Sequence, residues 1–431
     1  MKFKSIIQNV GANLLITILG LIGSIILARW LGPAQRGIFA AIILIPNILQ
    51  YFVSFGLSSA TLYFTALPDS NKHKIWSSLS LIGLIQSILG ILMGWILIHF
   101  YLPKFSQNIV FLGNIYLFTI PMWLLGMYAT YMLQGASHFK ITNLLKAIIP
   151  AGYCVGIIIL KMLNILSLIN MVYIQLFIQF IYLSISYFLL HKIILNSFSF
   201  HIDFGYIKKI LDYGLKVWIG DISQIVNTRI DQFLIGFFLS SHDLGIYTVA
   251  FSVASFSTIL ANAFRTVIVP TISSEPVLRD KINKTILFFK NYWLLSLIFH
   301  IIFAFCVSIL IPFIFGQPYQ ESVFICQILI IGFLFINAKS VLSAAIQGMK
   351  FPEIVSIVEV IGMIVSLVFC FFLIQKNGLT GISLGLSLSY FSQFFVLIVY
   401  IHQKNIISYK SLLGVSLREF RRYYSRFKNK Y

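Results

Sequence analysis

The sequence predicts an all-α polytopic membrane protein of about twelve transmembrane helices in two parallel-repeat six-helix lobes. Three observations carry this reading: too little charge for a water-covered surface, long apolar runs separated by basic segments, and a repeated pattern in the two halves. Of 431 residues, 59% are hydrophobic and only 10% charged, whereas soluble chains carry about 25% charged residues. The net charge of +19 sits between apolar runs rather than on one wet face, so it points to a membrane and not to nucleic acid. Cys154, Cys306, Cys326 and Cys370 fall inside apolar runs without paired spacing. They read as small hydrophobes, not as a disulfide framework or a metal site.

A helix needs about 20 apolar residues to cross the hydrocarbon. Runs bounded by charges, Pro, Gly or polar clusters lie near 10–30, 37–63, 76–101, 109–133, 141–160 and 168–190. The second half continues near 214–239, 244–270, 285–311, 323–346, 354–374 and 379–401. The first run outlasts a signal-peptide core, lacks a small-x-small cleavage site and ends at Arg29-Trp30, so it reads as a retained helix. With a cytoplasmic N-terminus, the cytoplasmic segments hold 23 of the 31 basic residues, and the opposite loops hold five: Arg29, Arg36, Lys104, Lys161 and Lys376. Arg229, Arg265 and Lys339 fall within spans. That bias places both termini in the cytoplasm.

The repeat has an offset of 208. Leu31, Gly37, Ile38 and Phe39 align with Leu239, Gly245, Ile246 and Tyr247. Gln134-Gly135 ends the fourth span and Gln347-Gly348 the tenth, while His191-Lys192 and His402-Gln403-Lys404 close the sixth and twelfth. The expected organisation is a lobe over 1–200, a second over 201–404 and a basic tail over 405–431. Parallel repeats place a binding site between the halves. In the tail, Leu413, Leu417, Phe420, Tyr424 and Phe427 recur at helical spacing among arginines, which suits an anionic lipid surface.

Ionisable groups in hydrocarbon usually face a bundle interior or a wet cavity. In the seventh span, Asp221, Gln224, Thr228 and Asp231 form one stripe at helical spacing, with Arg229 off it. Ser255, Thr258, Asn262 and Arg265 repeat that spacing in the eighth. Asn9, Asn13, Thr17, Gly20 and Ser24 share a face of the first span; Asn47, Gln50 and Ser54 share one in the second. A hydrated cavity lined by the first two helices of each half is the functional reading, and interhelical hydrogen bonding the structural one. The cavity candidates are Arg265, Asn262, Asn13, Asn47, Gln50, Gln224 and Arg229. Asp231, Asp221 and Glu359 are the candidates for H+ or Na+ coupling, although Lys339 and Glu359 also fit a structural ion pair. No GxSxG, HExxH or P-loop occurs, and the histidines have no ligand spacing, so no catalytic or metal site is expected.

The stretches ARWLGPAQRGIFA (28–40) and DQFLIGFFLSSHDLGIYTVA (231–250), with LQG after the fourth span, resemble the bacterial oligosaccharide and polysaccharide flippases of Wzx type. These belong to the multidrug/oligosaccharidyl-lipid/polysaccharide exporter superfamily. The resemblance implies a V-shaped, MATE-like pair of lobes in the inner membrane. It also implies alternating access, a cationic cavity and an undecaprenyl-diphosphate-linked oligosaccharide as cargo for O-antigen or capsule assembly. Partners would be polysaccharide polymerase and chain-length machinery. The first span has no ionisable residue before Arg29, so the implied basic lining falls to Arg265 and Arg229. Two other functions fit the composition: a cation-coupled drug antiporter of the same superfamily, and a membrane-embedded glycan polymerase or transferase. Short outer loops poor in carboxylates weigh against the last. The orientation has a direct test: a cysteine placed at Ser241 is expected to react from the outside, and labelling from the cytoplasmic side alone overturns it.

Overall fold

The computed structural model describes residues 3–68, 70–102, 106–195, 202–349, 351–404 and 406–413. The basic tail from 414 onward lies outside the described residues. Within them the chain is helical and contains no strand. This follows from the solvent, since hydrocarbon offers the backbone no partners and a helix satisfies its own donors and acceptors.

The first half comprises α1 (Phe3–Val53), α2 (Leu57–Ala66), α3 (Lys72–Tyr101), α4 (Gln107–Tyr116), α5 (Thr119–Gly135), α6 (Phe139–Met162) and α7 (Leu168–Leu190). The second comprises α8 (Phe204–Phe238), α9 (Ser241–Ser255), α10 (Thr258–Ser273), α11 (Leu278–Phe315), α12 (Ser322–Gly348) and α13 (Pro352–Gln403), followed by the short α14 (Tyr409–Leu413). Nine segments among the described residues are long and apolar enough to cross a membrane. Two of them, Leu15–Val53 and Glu353–Gln403, are long enough for two crossings each and turn at a glycine. Gly32 (φ 72°) turns α1 and Gly378 (φ 52°) turns α13, a backbone region that glycine enters without a Cβ clash. Helix α8 carries too many charges to count by composition, yet it is a 35-residue helix packed in the bundle. Together they make twelve crossings. Large apolar side chains such as Leu84, Ile88 and Leu92 of α3 and Phe305, Ile309 and Phe313 of α11 stay exposed, as a lipid-facing surface requires.

The repeat is visible in the packing. A Cβ on Gly37 would collide with the carbonyl of Ser241, and one on Gly245 with the carbonyl of Pro33. Residue 241 is 33 displaced by the repeat offset, so each half offers the other the same glycine and the same carbonyl. Such a reciprocal contact needs a two-fold relation between the halves. Likewise Gly135, ending α5, sits against Leu62 and Thr65 near the end of α2, while Gly348, ending α12, sits against Ile272 and Ser273 near the end of α10.

The two halves touch at both ends of one side and at one end of the other. At the Gly37 end, the Arg29 guanidinium donates to the Phe313 carbonyl at 2.6 Å and the Tyr319 hydroxyl to the Ala28 carbonyl at 3.1 Å. Tyr101 stacks on Phe233 with ring centres 5.0 Å apart. At the opposite end, the second and seventh crossings stay together. Trp218 Nε1 donates to the Phe52 carbonyl at 2.8 Å, Tyr63 stacks on Tyr213 at 4.7 Å, and Lys74 pairs with Asp203 at 2.9 Å. The Lys74 ammonium and the Tyr206 backbone N–H hold the Asp203 carboxyl below its ordinary range. The lower parts of the first and eighth crossings carry exposed residues instead, among them Leu15, Ile18, Ile22, Asn262, Arg265 and Val269.

Backbone-to-backbone closure at the Gly37 end should not tolerate a branched side chain. Gly37→Val is expected to hold that end apart. With Cys306 replaced by Ser, a cysteine at the wall position Thr248 should then react severalfold faster with an impermeant thiol reagent added from that end. Unchanged reactivity at equal abundance would show that the closure does not depend on this contact.

Candidate functional site

Between the halves lies a cavity of about 350 Å³. Its first-half wall is Thr17, Gly20, Leu21 and Ser24 below the Gly32 turn, then Arg36, Phe39, Ala40, Ile43, Leu44 and Asn47 beyond it, with Tyr153 from α6. Its second-half wall is Arg229 and Gln232 of α8 and Thr248, Phe251, Ser252, Ser255 and Phe256 of the eighth crossing. The two walls use the same positions of the repeat. Ala40, Ile43, Leu44 and Asn47 correspond to Thr248, Phe251, Ser252 and Ser255, and Leu21 and Ser24 to Arg229 and Gln232.

Two arginines face this space and none of the lining residues is acidic. Arg36 is only 8% exposed; its Nη2 donates to Ser24 Oγ at 2.8 Å, and its Nε has no partner. Arg229 is half-buried, and its Nη1 donates to Gln232 Oε1 at 3.3 Å. Neither makes an ion pair among the described residues. Hydroxyls, amides and aromatic rings share the rest of the wall with the aliphatic Leu21, Ala40, Ile43 and Leu44. The ring of Tyr153 lies parallel to that of Phe39, with centres 6.4 Å apart.

Of the sequence candidates, Asn47 and Arg229 stand in the wall, as do Thr17, Gly20, Ser24 and Ser255. Asn13 has its side chain outside the described residues. Gln50 is buried beside the cavity with Nε2 unpartnered, and Gln224 is exposed below it. Asn262 and Arg265 are exposed on the lower eighth crossing. The expectation that 255–265 form one face fails at Phe256 and Ser257, where the crossing breaks into α9 and α10. Both residues keep helical backbone angles, but the turn closes through i→i+3 bonds, Phe256 to Val253 and Ser257 to Ala254, and this tighter winding rotates the face.

The stripe on α8 is also corrected. Arg229 and Gln232, about 60° apart on the helix, take the cavity side. Asp231, about 160° round from Arg229, is fully buried on the other side. There the Tyr247 hydroxyl donates to Asp231 Oδ2 at 2.5 Å, while Oδ1 has no partner. Asp221 is half-buried below the cavity. Glu359 forms an ion pair with the buried Lys339 of α12, and Asn227 Nδ2 donates to the Glu359 carbonyl at 3.1 Å and to its carboxylate at 3.3 Å. This cluster ties α8, α12 and α13 together inside the second half.

Arg36 was expected in an outer loop and is instead inside a helix, buried in the cavity wall. The repeat carried the missing signal: its counterpart is Leu244, a fully buried core residue. Tyr153 had no comparable signature.

Twelve crossings in two equivalent halves, enclosing a polar cavity closed at one end, make up a polytopic MATE-like fold. The model of the polysaccharide biosynthesis protein family matches residues 26–324, and the chain belongs to that family. It is 23% identical over 376 residues to a Shigella flexneri protein named "Putative O-antigen transporter", covering 84% of this chain and 88% of that one. It is 23% identical over 385 residues to an uncharacterized membrane protein of Methanocaldococcus jannaschii, covering 82% and 75%. The fold matches the lipid II flippase MurJ in an inward closed conformation, with a TM-score of 0.78 at 18% identity over 97% of this chain and 92% of that one. It also matches a MATE transporter in its straight conformation, at 0.61 and 12% identity over 93% and 95%.

The Lys339–Glu359 pair has a structural signature that mutation can read. Glu359→Gln strands a buried ammonium, and breaking a buried pair costs about 3 kcal/mol or more. The single variant should lose thermal stability in detergent, and Lys339→Met combined with Glu359→Gln should recover most of it. Equal losses in single and double variants would show that the pair is not the stabilising element.

Proposed function

We propose that the protein moves a polyprenyl-diphosphate-linked oligosaccharide across the bacterial inner membrane for surface polysaccharide assembly, by alternating exposure of the cavity between the halves. The observation that carries this reading is a polar cavity with two arginines and no acidic lining residue. A sugar diphosphate is anionic and rich in hydroxyls. Arginine presents a fork that grips phosphate oxygens in pairs, and the Ser, Thr, Asn and Gln side chains offer the donors and acceptors that sugar hydroxyls need. The polyprenyl chain has no need to leave the lipid. Family membership and the names of the Shigella relative and the lipid II flippase support the same cargo class.

With both termini cytoplasmic, the Gly37 end faces outward and the spread lower halves of the first and eighth crossings face the inner leaflet. A headgroup entering there meets Arg265 and Asn262 first and Arg229 further in. Arg229 is the proposed phosphate ligand and Arg265 the loading residue. Asp231, buried with one oxygen unpartnered, is the proposed coupling carboxylate, linked through Tyr247 to the helix that forms the second-half wall. A cation cargo fits poorly, because no carboxylate lines the cavity.

Two outcomes test this. Arg229→Ala is expected to abolish surface-glycan export with the protein still inserted, and Arg229→Lys to restore it in part; Arg265→Ala should slow export and Arg265→Lys recover part of the rate. Full export by Arg229→Ala at normal abundance removes the phosphate role. In proteoliposomes, Asp231→Asn should still carry lipid-linked saccharide down its gradient but cease to respond to an imposed ion gradient. An unchanged response would exclude Asp231 as the coupling group.

A further inference from the structure

Arg36 stands at a mechanical junction as well as in the cavity wall. It lies four residues after Gly32, the positive-φ turn between the first two crossings, and its Nη2 reaches back to Ser24, eight residues before that turn. The Arg36–Ser24 bond therefore braces the corner of α1 from inside. The next residue is Gly37, whose backbone meets Ser241, and Pro33 at the start of the same turn of helix meets Gly245. One helical turn thus holds both a cavity-facing cation and the closure between the halves.

The guanidinium is also incompletely satisfied. Only 8% of Arg36 is exposed, its Nε has no partner, and no carboxylate lines the cavity. A buried arginine normally carries a paired or hydrogen-bonded fork, because an uncompensated charge is costly. Here one Nη is held by a neutral hydroxyl, and the unpartnered Nε is itself buried, on a side chain that lines the cavity.

We propose that Arg36 forms an oxyanion subsite at the closed end of the cavity, and that its occupancy withdraws the brace on Ser24 and loosens the Gly37–Ser241 closure. The proposal rests on the reading of the cavity as the site of an anionic headgroup. The ligand chemistry is a phosphate or carboxylate oxygen pair, supplied by the diphosphate or by an acidic sugar. As the guanidinium turns off Ser24 and brings its buried Nε to the cavity, the anion takes Nε and an Nη together, as a bidentate acceptor does. Ser24 then loses a charge-assisted hydrogen bond, and the corner of α1 loses its internal tie. Loading would thereby weaken the end that must open for release.

Spin labels on cysteines at Gln35 and His242, both exposed beside the closure, report its width in a chain otherwise free of cysteine. Inorganic pyrophosphate and glucuronate are the two probes, and binding is measured in parallel by calorimetry. The expected result is a longer label separation with at least one probe. Arg36→Ala should abolish the response, and Arg36→Lys should need roughly tenfold more anion, the loss of one charged hydrogen bond. Ser24→Ala should bind the anion yet show the wider population without it. A response to pyrophosphate alone assigns the subsite to phosphate, and one to glucuronate alone assigns it to an acidic sugar. If anion binds but Arg36→Ala responds like the unsubstituted chain, or Ser24→Ala leaves the resting separation unchanged, the coupling is wrong while the cavity reading stands. If neither probe binds, both the subsite and the anionic-cargo reading fall.

Discussion

Two glycines one repeat apart set the geometry on which the rest depends. Gly37 and Gly245 let the helix starts of the two halves approach until each backbone meets the other's carbonyl. In hydrocarbon there is no hydrophobic drive between helices, so association relies on close packing and on hydrogen bonds across the interface. The closure supplies the close packing. Around it, Arg29 and Tyr319 each donate to a backbone carbonyl of the opposite half. The cavity exists because the halves meet here and diverge below, and its walls repeat because the contact is two-fold.

Charge is sorted by whether a partner is built in. Lys339 and Glu359 satisfy each other, and Asn227 takes the remaining carboxylate oxygen. They belong to the packing of the second half. Asp231 is held by Tyr247 on one oxygen only. Arg36 and Arg229 have neutral partners, so their field is spent on the cavity. A polar space between two cations, without counter-ions in the wall, carries a positive field. The same sorting separates the charges that hold the bundle from those that face the cavity.

The crossings meet unequally. The seventh crossing touches the first half toward both ends of the bundle, through Phe233 against Tyr101 of α3 at one end and Tyr213 against Tyr63 of the second crossing at the other. The first and eighth carry exposed residues below the closure, among them Leu15, Ile18, Asn262 and Arg265. The breaks in the eighth crossing at Phe256–Ser257 and in the second at Phe55–Gly56 fall where these helices pass from closure to divergence.

The sequence by itself determined the number of crossings, their order, the equivalence of the halves and the correspondence of Gly37 with Gly245 in the repeat. These follow from run length, charge placement and spacing, which are properties of the chain in one dimension. The first-crossing face of Thr17, Gly20 and Ser24 was legible for the same reason, since an unbroken helix keeps its angular period. Only the tertiary structure decided which edge of the polar stripe on α8 meets the cavity, that Arg265 stands below it, and that Arg36 enters the wall instead of a loop. Each depends on a helix's rotation against its neighbours or on a local break. Those are set by packing between residues some two hundred positions apart, and no local pattern encodes them.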